Sequence, residues 1–233
     1  MFNGECQRIS IERGELLFWP NWLPDMVADK LQQALRKRVT WLQPAIRIAG
    51  HSIPIPRLNA WYGDEGRRYA YSGIHLPVNQ WLPELEALRQ QVNEVGDRHL
   101  DAVPGGDHRL FNSALLNLYR SGRDSVDWHS DDEPELGDQP VIATVSLGAS
   151  RRFDLRPRHR PGADSDRPLT HRRRQTMHLD LPHGSLLIMA GDMQRYWQHR
   201  VAKINAQVGE RISITFRWVD DGAVANTMVG SGL

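Results

Sequence analysis

Arg211-Ile212-Ser213-Ile214-Thr215-Phe216-Arg217 alternates strictly between polar and apolar side chains. A period of two puts Arg211, Ser213, Thr215 and Arg217 on one face of a strand. Ile212, Ile214, Phe216 and, continuing the pattern, Trp218 fall on the other. The apolar face belongs to a core. The polar face either meets solvent, as in an antiparallel sheet wetted on one side, or lies inside a closed sheet. There two guanidiniums are costly unless they find anions. A dicarboxylate suits the second case, because the arginine fork pairs carboxylates bidentately.

Working outward, further short β-rich runs occur at Ala114–Tyr119, Val141–Leu147, Thr176–Leu181 and Ser185–Met189. Turn residues such as Ser121-Gly122, Gly148, Pro182-His183-Gly184 and Gly191-Asp192 separate them. Many short strands without helical patterns between them predict a sandwich, barrel or jelly roll. The first hundred residues differ. Pro24 and Asp25 open a helix with Val27, Leu31, Ala34 and Leu35 on one stripe. Trp81, Leu85, Leu88, Val92 and Val95 mark a second helix that fades at Gly96. Between them, Ile46–Gly73 is rich in Pro, Gly and aromatics and predicts loops and short strands. Helices first and strands after is an α+β order, with the helices packed on one sheet face.

Composition narrows the function classes. The chain has 233 residues, 40% hydrophobic and 24% charged, as in a globular protein. Lys and Arg number 29 against 28 Asp and Glu, so any nucleic-acid affinity must come from a local basic patch. Such a patch exists in Arg151–Arg174, where nine arginines face three aspartates. That segment reads as a long hairpin between strands, and its excess of six positive charges leaves the remainder of the chain at −5. Cys6 is alone, which excludes an internal disulfide and a cysteine-rich zinc site. No secretory signal is apparent, and no apolar run approaches the about 18 residues of a membrane span. The expectation is a soluble, cytoplasmic protein.

His129-Ser130-Asp131 follows strand-like residues, and H-x-D in extended chain projects both side chains to the same side. A second histidine, as in Trp197-Gln198-His199-Arg200-Val201, would complete two imidazoles and one carboxylate. That facial set leaves coordination positions open, as non-haem iron(II) oxygenases require. Alone, the H-x-D pair is a weak signal, and a surface turn with Asp131 and Asp132 solvated is the favoured reading.

The motifs taken together decide between these readings. Asn117-Leu118-Tyr119-x-x-Gly122, His129-x-Asp131-Asp132-Glu133, Ser146-Leu147-Gly148, His183-Gly184-Ser185-Leu186-Leu187, His199 and Arg211-x-Ser213-x-Thr215-Phe216-Arg217 resemble the AlkB family. Its members are 2-oxoglutarate- and iron(II)-dependent oxygenases that remove alkyl groups from nucleic-acid bases. Pro56-Arg57, Tyr62-Gly63-Asp64 and Tyr69-x-Tyr71-Ser72-Gly73 resemble the substrate lid of the branch that includes vertebrate DNA-repair members. The resemblance runs in unbroken order over roughly residues 40 to 219. It implies one domain over 1–233: an N-terminal extension and helix (1–40), a nucleotide-recognition lid (41–80) and a double-stranded β-helix, or jelly roll, over 111–219.

The resemblance also implies roles. His129, Asp131 and His199 would ligate iron(II). Arg211, helped by Tyr119, would pair the far carboxylate of 2-oxoglutarate, while Arg217 and Asn117 hold the end beside the metal. Ser213 stands where the family often has Asn, so its contact to 2-oxoglutarate is shorter in reach or water-mediated. Tyr71 would stack on the target base, with Tyr69, Asp132 and Glu133 along its edge, and Trp61 would be either a second wall or, at least as readily, a core side chain. Arg151, Arg152, Arg156, Arg172 and Arg173 would contact the phosphate backbone. As a rim carboxylate, Asp131 is expected to contribute little to the core. The implied activity is oxidative dealkylation of bases of the 1-methyladenine and 3-methylcytosine type by a monomer. The same chemistry on RNA, or a jelly-roll nucleic-acid binder without catalysis, are the alternatives. Duplex-repairing relatives insert an aromatic wedge just before the Pro-Arg of the lid. Ala49, in Ile48-Ala49-Gly50-His51, takes that place and points to single-stranded substrate.

Overall fold

The computed structural model describes residues 4–48, 50–65, 70–71, 74–100, 111–158 and 176–220. In chain order its strands are β1 (Gln7–Ile11), β2 (Gly14–Trp19), β3 (Ala45–Ile48), β4 (His51–Pro54), β5 (Leu58–Gly63), β6 (Ala70–Tyr71), β7 (Ile74–His75) and β8 (Val78–Asn79). Then come β9 (Ser113–Tyr119), β10 (Val126–His129), β11 (Ile142–Gly148), β12 (Arg151–Pro157), β13 (Met177–Leu181), β14 (Ser185–Ala190), β15 (Trp197–Val201) and β16 (Arg211–Arg217). The helices are α1 (Asp25–Arg38), α2 (Pro83–His99) and the four-residue α3 (Met193–Tyr196). None of the described helices is long and apolar enough to cross a membrane.

Two sheets carry the fold. The major one has eight strands in the order β1-β2-β14-β11-β16-β9-β5-β8, and the minor one has four, β10-β15-β12-β13. This is the sheet-on-sheet jelly roll expected from the strand pattern. One face of the major sheet packs against both helices: Ile212, Ile214 and Phe216 share a buried cluster with Leu31 and Leu35 of α1 and Leu85, Leu88 and Val92 of α2. The other face packs against the minor sheet, through Leu115, Leu187 and Met189 against Phe153, Leu155 and Val201. Both faces of β16 are therefore covered, and its polar face is buried, not wetted. Between the sheets, that polar face lines a cavity.

Several sequence expectations shift in detail. Val27 is 47% exposed, and Ala28 takes its place on the buried stripe of α1. Trp81 precedes α2 and packs against the core from outside it, while the helix continues past Gly96 to His99. A helical glycine costs only about 1 kcal/mol, and Gly96 is buried on the core side of the helix with Val92 and Val95. The N-terminal extension is more than a helix, because β2 pairs with β14 and extends the major sheet. The arginine-rich stretch begins as a strand: Phe153 and Leu155 of β12 point into the core, and β12 pairs with β13. Residues 159–175, with Arg172 and Arg173, lie outside the described residues.

Part of the lid also belongs to the sheet. β5 pairs with β9, which puts Trp61 opposite Leu115 at 0% exposure. A side chain so placed is core packing, so Trp61 is not a wall for the base. Of the two tyrosines, Tyr69 lies outside the described residues, and Tyr71 is described only in its backbone, which pairs with Ile74 in the β6–β7 ribbon. Gly148 explains one motif structurally. It adopts φ +90°, a Cβ there would approach Glu210 O to 2.3 Å, and its N–H donates to His183 Nδ1 at 2.8 Å.

Candidate active site

The candidate metal centre forms where the minor sheet turns its inner face to β16. His129 at the end of β10 and His199 in the middle of β15 are cross-strand partners, and their rings lie 4.2 Å apart centroid to centroid. Phe153 of β12 stacks on the far side of His199, with centroids 5.1 Å apart. Asp131 follows two residues after His129. Its backbone N–H donates to Gln194 Oε1 of α3 at 3.0 Å, and Ser130 Oγ donates to Trp197 O at 2.7 Å. These bonds fix the chain beyond β10, so the ligand atoms of His129, Asp131 and His199 all lie within 4.8 Å of one another.

Electrostatics make the three atoms good donors. His129 Nδ1 lies 2.7 Å from Asp127 O, which assigns the proton to Nδ1 and makes Nε2 the lone-pair nitrogen. Burial pushes the His129 imidazole below its ordinary pKa, and pushes His199 down to about 3, with His129 adding to that shift. Burial alone would raise the Asp131 carboxyl. Arg217, then His199 and His129, outweigh it and hold the group below its usual range. At neutral pH the centre is therefore two neutral imidazoles and one carboxylate. His199 Nε2 and Asp131 Oδ2 face each other at 3.6 Å with no proton between them, an arrangement a cation would relieve. The donor set fits a non-haem iron(II) ion.

Asp131 is 1% exposed, and Arg217 Nη2 donates to its Oδ1 at 2.7 Å. The expectation of a rim carboxylate with little weight in the core is thus overturned: the carboxylate is half of a buried ion pair.

Behind the triad lies a small cavity bounded by Asn117, Tyr119, Arg211, Ser213, Thr215 and Arg217 among others. Its lining follows from register. Arg211 faces Tyr119 and Ser213 faces Asn117 across β16 and β9, while Ser146 of β11 flanks Ser213 on the other side. Arg211 is 1% exposed. Its Nη2 donates to Ser146 Oγ at 2.8 Å and its carbon Cζ lies 5.2 Å from the centre of the Tyr119 ring. Its Nε and Nη1 are buried without a hydrogen-bond partner among the described residues. Burial pulls this guanidinium below its ordinary pKa, Tyr119 opposes that and Arg151 adds to it. Two orphaned donors on a buried cation call for an anion. Asn117 Oδ1 accepts from Arg57 Nε at 2.9 Å and Asn59 Nδ2 at 2.6 Å, which leaves its amide NH2 for a ligand. The residues fit a small dicarboxylate such as 2-oxoglutarate.

The other predicted site residues are dispersed. Asp132 pairs with Arg158, and neither Asp132 nor the partly buried Glu133 lines the cavity. Arg151 is buried, donates to the carbonyls of Ser121, Asp124 and Ala202, and stacks near Tyr119. It cannot serve a phosphate. Arg152 is exposed and pairs with Asp154, and Arg156 is bound to Gln198. Arg151→Ala is expected to lower stability by at least about 2 kcal/mol, because three carbonyls lose a charged donor. Oligonucleotide affinity should hold. Urea denaturation checks it, and an unchanged midpoint would refute it.

Sequence reasoning undervalued Arg57 and missed Asn59 and Gln194. Arg57 lines both this cavity and a wider outer cleft that also reaches His129.

Comparison with known proteins agrees with the site. Residues 15–217 match the family model described as the 2OG-Fe(II) oxygenase superfamily. Alpha-ketoglutarate-dependent dioxygenase alkB homolog 3 of Mus musculus is 40% identical over 202 residues, 86% of this chain and 65% of that protein. The chain thus spans just under two thirds of that relative. DNA oxidative demethylase ALKBH2 of Homo sapiens is 35% identical over 193 residues, 82% of this chain and 68% of its own length. Among solved structures, that of OsALKBH1 superposes with a TM-score of 0.54 at 18% identity, covering 91% of this chain and 99% of the other, a likeness of fold. The chain belongs to the 2OG-Fe(II) oxygenase superfamily and, within it, to the AlkB family.

Proposed function

We propose that this protein is an iron(II)- and 2-oxoglutarate-dependent dioxygenase that dealkylates N-alkylated bases in nucleic acid, with one catalytic unit spanning the two sheets and their helices. The observation that carries the reading is the pairing, in one cavity, of a neutral His-Asp-His cluster with a buried arginine that has two orphaned donors. In that role His129, Asp131 and His199 would hold iron(II). Arg211, with Tyr119 beside it, would anchor the distal carboxylate of 2-oxoglutarate, and Asn117, Ser213 and Arg217 would bound its other end. Once bound, iron and 2-oxoglutarate supply the oxidation of the N-alkyl carbon, which consumes dioxygen, releases succinate and carbon dioxide, and leaves a hemiaminal that collapses to aldehyde and repaired base.

The protein's own contribution is positional. Arg217 keeps Asp131 ionised and oriented, the Asp127 carbonyl holds the His129 proton on Nδ1 so that Nε2 would be the nitrogen offered to a metal, and Phe153 stacks on the buried His199 ring. The relatives' names, dioxygenase alkB homolog 3 and DNA oxidative demethylase, support the same reaction class here. Formaldehyde release from methylated DNA and RNA oligonucleotides, with iron(II), 2-oxoglutarate and oxygen supplied, tests it. No formaldehyde from any of them would refute it.

Single strands are the proposed preferred substrate. Ala49 lies outside the described residues; Ile48 and His51 pair directly across the β3–β4 hairpin, with only Ala49 and Gly50 between them in the sequence. A tip of that composition has no ring to fill the gap left by a flipped base, and unstacking costs a few kcal/mol. One 3-methylcytosine oligonucleotide should therefore be repaired faster alone than annealed to its complement, and Ala49→Phe should speed the duplex selectively. Equal rates on both substrates would dispose of the preference.

A further inference from the structure

The outer face of the minor sheet carries an aromatic–cation stack that neither the metal centre nor the 2-oxoglutarate cavity uses. Phe153, Leu155 and His199 point inward, so their neighbours Asp154, Arg156, Gln198 and Arg200 point outward. Across this face lies the half-buried indole of Trp128, the residue before His129. The guanidinium carbon of Arg156 sits 4.2 Å from its ring centre and that of Arg200 4.4 Å. Each arginine is held from its far side as well. Arg156 Nε and Nη2 donate to Gln198 Oε1 at 3.0 and 2.9 Å, and Arg200 Nε donates to Asp154 Oδ2 at 2.9 Å. Two long cationic side chains are thereby immobilised before any ligand arrives, while Arg156 Nη1 and both terminal nitrogens of Arg200 make no hydrogen bond to another side chain or carbonyl among the described residues. Trp128 and Arg200, with the exposed Lys203, also line the outer cleft, which reaches His129.

We propose that Trp128, Arg156, Arg200 and Lys203 form a phosphate track along which the strand flanking the target base lies. The inference rests on the nucleic-acid reading above and assigns its backbone contact to a built surface. Trp128 is a positioning residue: its contact with both guanidiniums restricts them, so less side-chain freedom is lost when they bind a phosphate. Asp154 does not cancel the track, because Arg152 Nε already neutralises it at 2.8 Å. Asp127 is the exposed anion beside the cleft, and three cations outweigh it.

The test uses an unmodified, end-labelled oligothymidylate and the full chain without iron or 2-oxoglutarate, so it does not depend on turnover. Fluorescence anisotropy across a salt series gives the slope of log affinity against log salt. Arg200→Gln and Lys203→Gln should each reduce that slope by about one and weaken binding several-fold at low salt. Trp128→Leu should weaken binding as much as Arg200→Gln, and Trp128→Phe should restore most of it. With methylated oligonucleotide, Arg200→Gln should raise KM proportionally more than it lowers kcat. Lys203 is exposed and Asp154 keeps Arg152, so both charge variants fold, which thermal melts verify. Wild-type slopes in all these variants would overturn the track while leaving the demethylase reading untouched. An Arg200-dependent slope in a protein that releases no formaldehyde would do the reverse.

Discussion

Asp131→Ala is expected to remove iron-dependent turnover altogether and to destabilise the metal-free protein. The first effect follows from the donor set. Two neutral imidazoles without the carboxylate offer a divalent ion neither the third position nor the negative charge that offsets it. The second follows from the pair with Arg217, since both side chains are buried and their contact is 2.7 Å. Removing one member of a buried ion pair costs about 3–5 kcal/mol, mostly because the other charge stays out of water. Asp131→Asn separates the two effects. It keeps an oxygen acceptor for Arg217 and should retain more stability than Asp131→Ala, yet it lacks the charge that holds the metal. Chemical denaturation and formaldehyde release are the readouts. Wild-type turnover in Asp131→Asn would remove Asp131 from the ligand set, and wild-type stability in Asp131→Ala would show that the Arg217 pair carries no weight.

This stability cost could not be read from the chain, and the reason is general to the fold. The alternation of β16 tells which residues share a face, and Ile212, Ile214 and Phe216 do face the helices as that pattern requires. Whether the opposite face is wet depends on the second sheet, whose strands are short and heavily charged. In Arg151–Pro157 the inward pair Phe153 and Leu155 is masked by three arginines, so the stretch reads as a basic hairpin while it builds a wall of the site. Trp61 misleads for the converse reason. β5 is buried on both faces, so Trp61 and Tyr62 are both hidden and no alternation marks which of them points toward a ligand. Contacts that join distant segments, such as Gln194 to the Asp131 backbone or Arg57 to Asn117, have no local signature at all. The triad was legible because its spacing matched a family pattern. Two of its members sit in cross-strand register, and that relation appears only once β10 and β15 are paired.

Arg211→Ala should raise the 2-oxoglutarate concentration needed for turnover at least about tenfold, with little change in the oligonucleotide concentration needed. Hydrogen bonds to a charged group are worth about 1.5–3 kcal/mol, and the lower value already corresponds to that factor. The geometry favours the upper part of the range. Nε and Nη1 are desolvated and have no hydrogen-bond partner among the described residues, so a carboxylate arriving there displaces no bond seen among them. Ser146 and the Tyr119 ring hold the fork in place, which reduces the freedom lost on binding. Arg211→Lys should recover only part of the loss, since an ammonium replaces a two-pronged contact with a point charge. The substitution itself should be tolerated by the fold. Arg211's polar partners here are the hydroxyls of Ser146 and Tyr119, so its loss strands hydroxyls and not a buried carboxylate. Removing a buried cation with two orphaned donors should leave the ligand-free protein as stable as wild type or more so. A titration of turnover against 2-oxoglutarate, paired with a thermal melt without ligand, tests both halves. An unchanged 2-oxoglutarate dependence would place the dicarboxylate elsewhere in the cavity, and a large loss of stability would mean that Arg211 supports the sheets and not the cosubstrate.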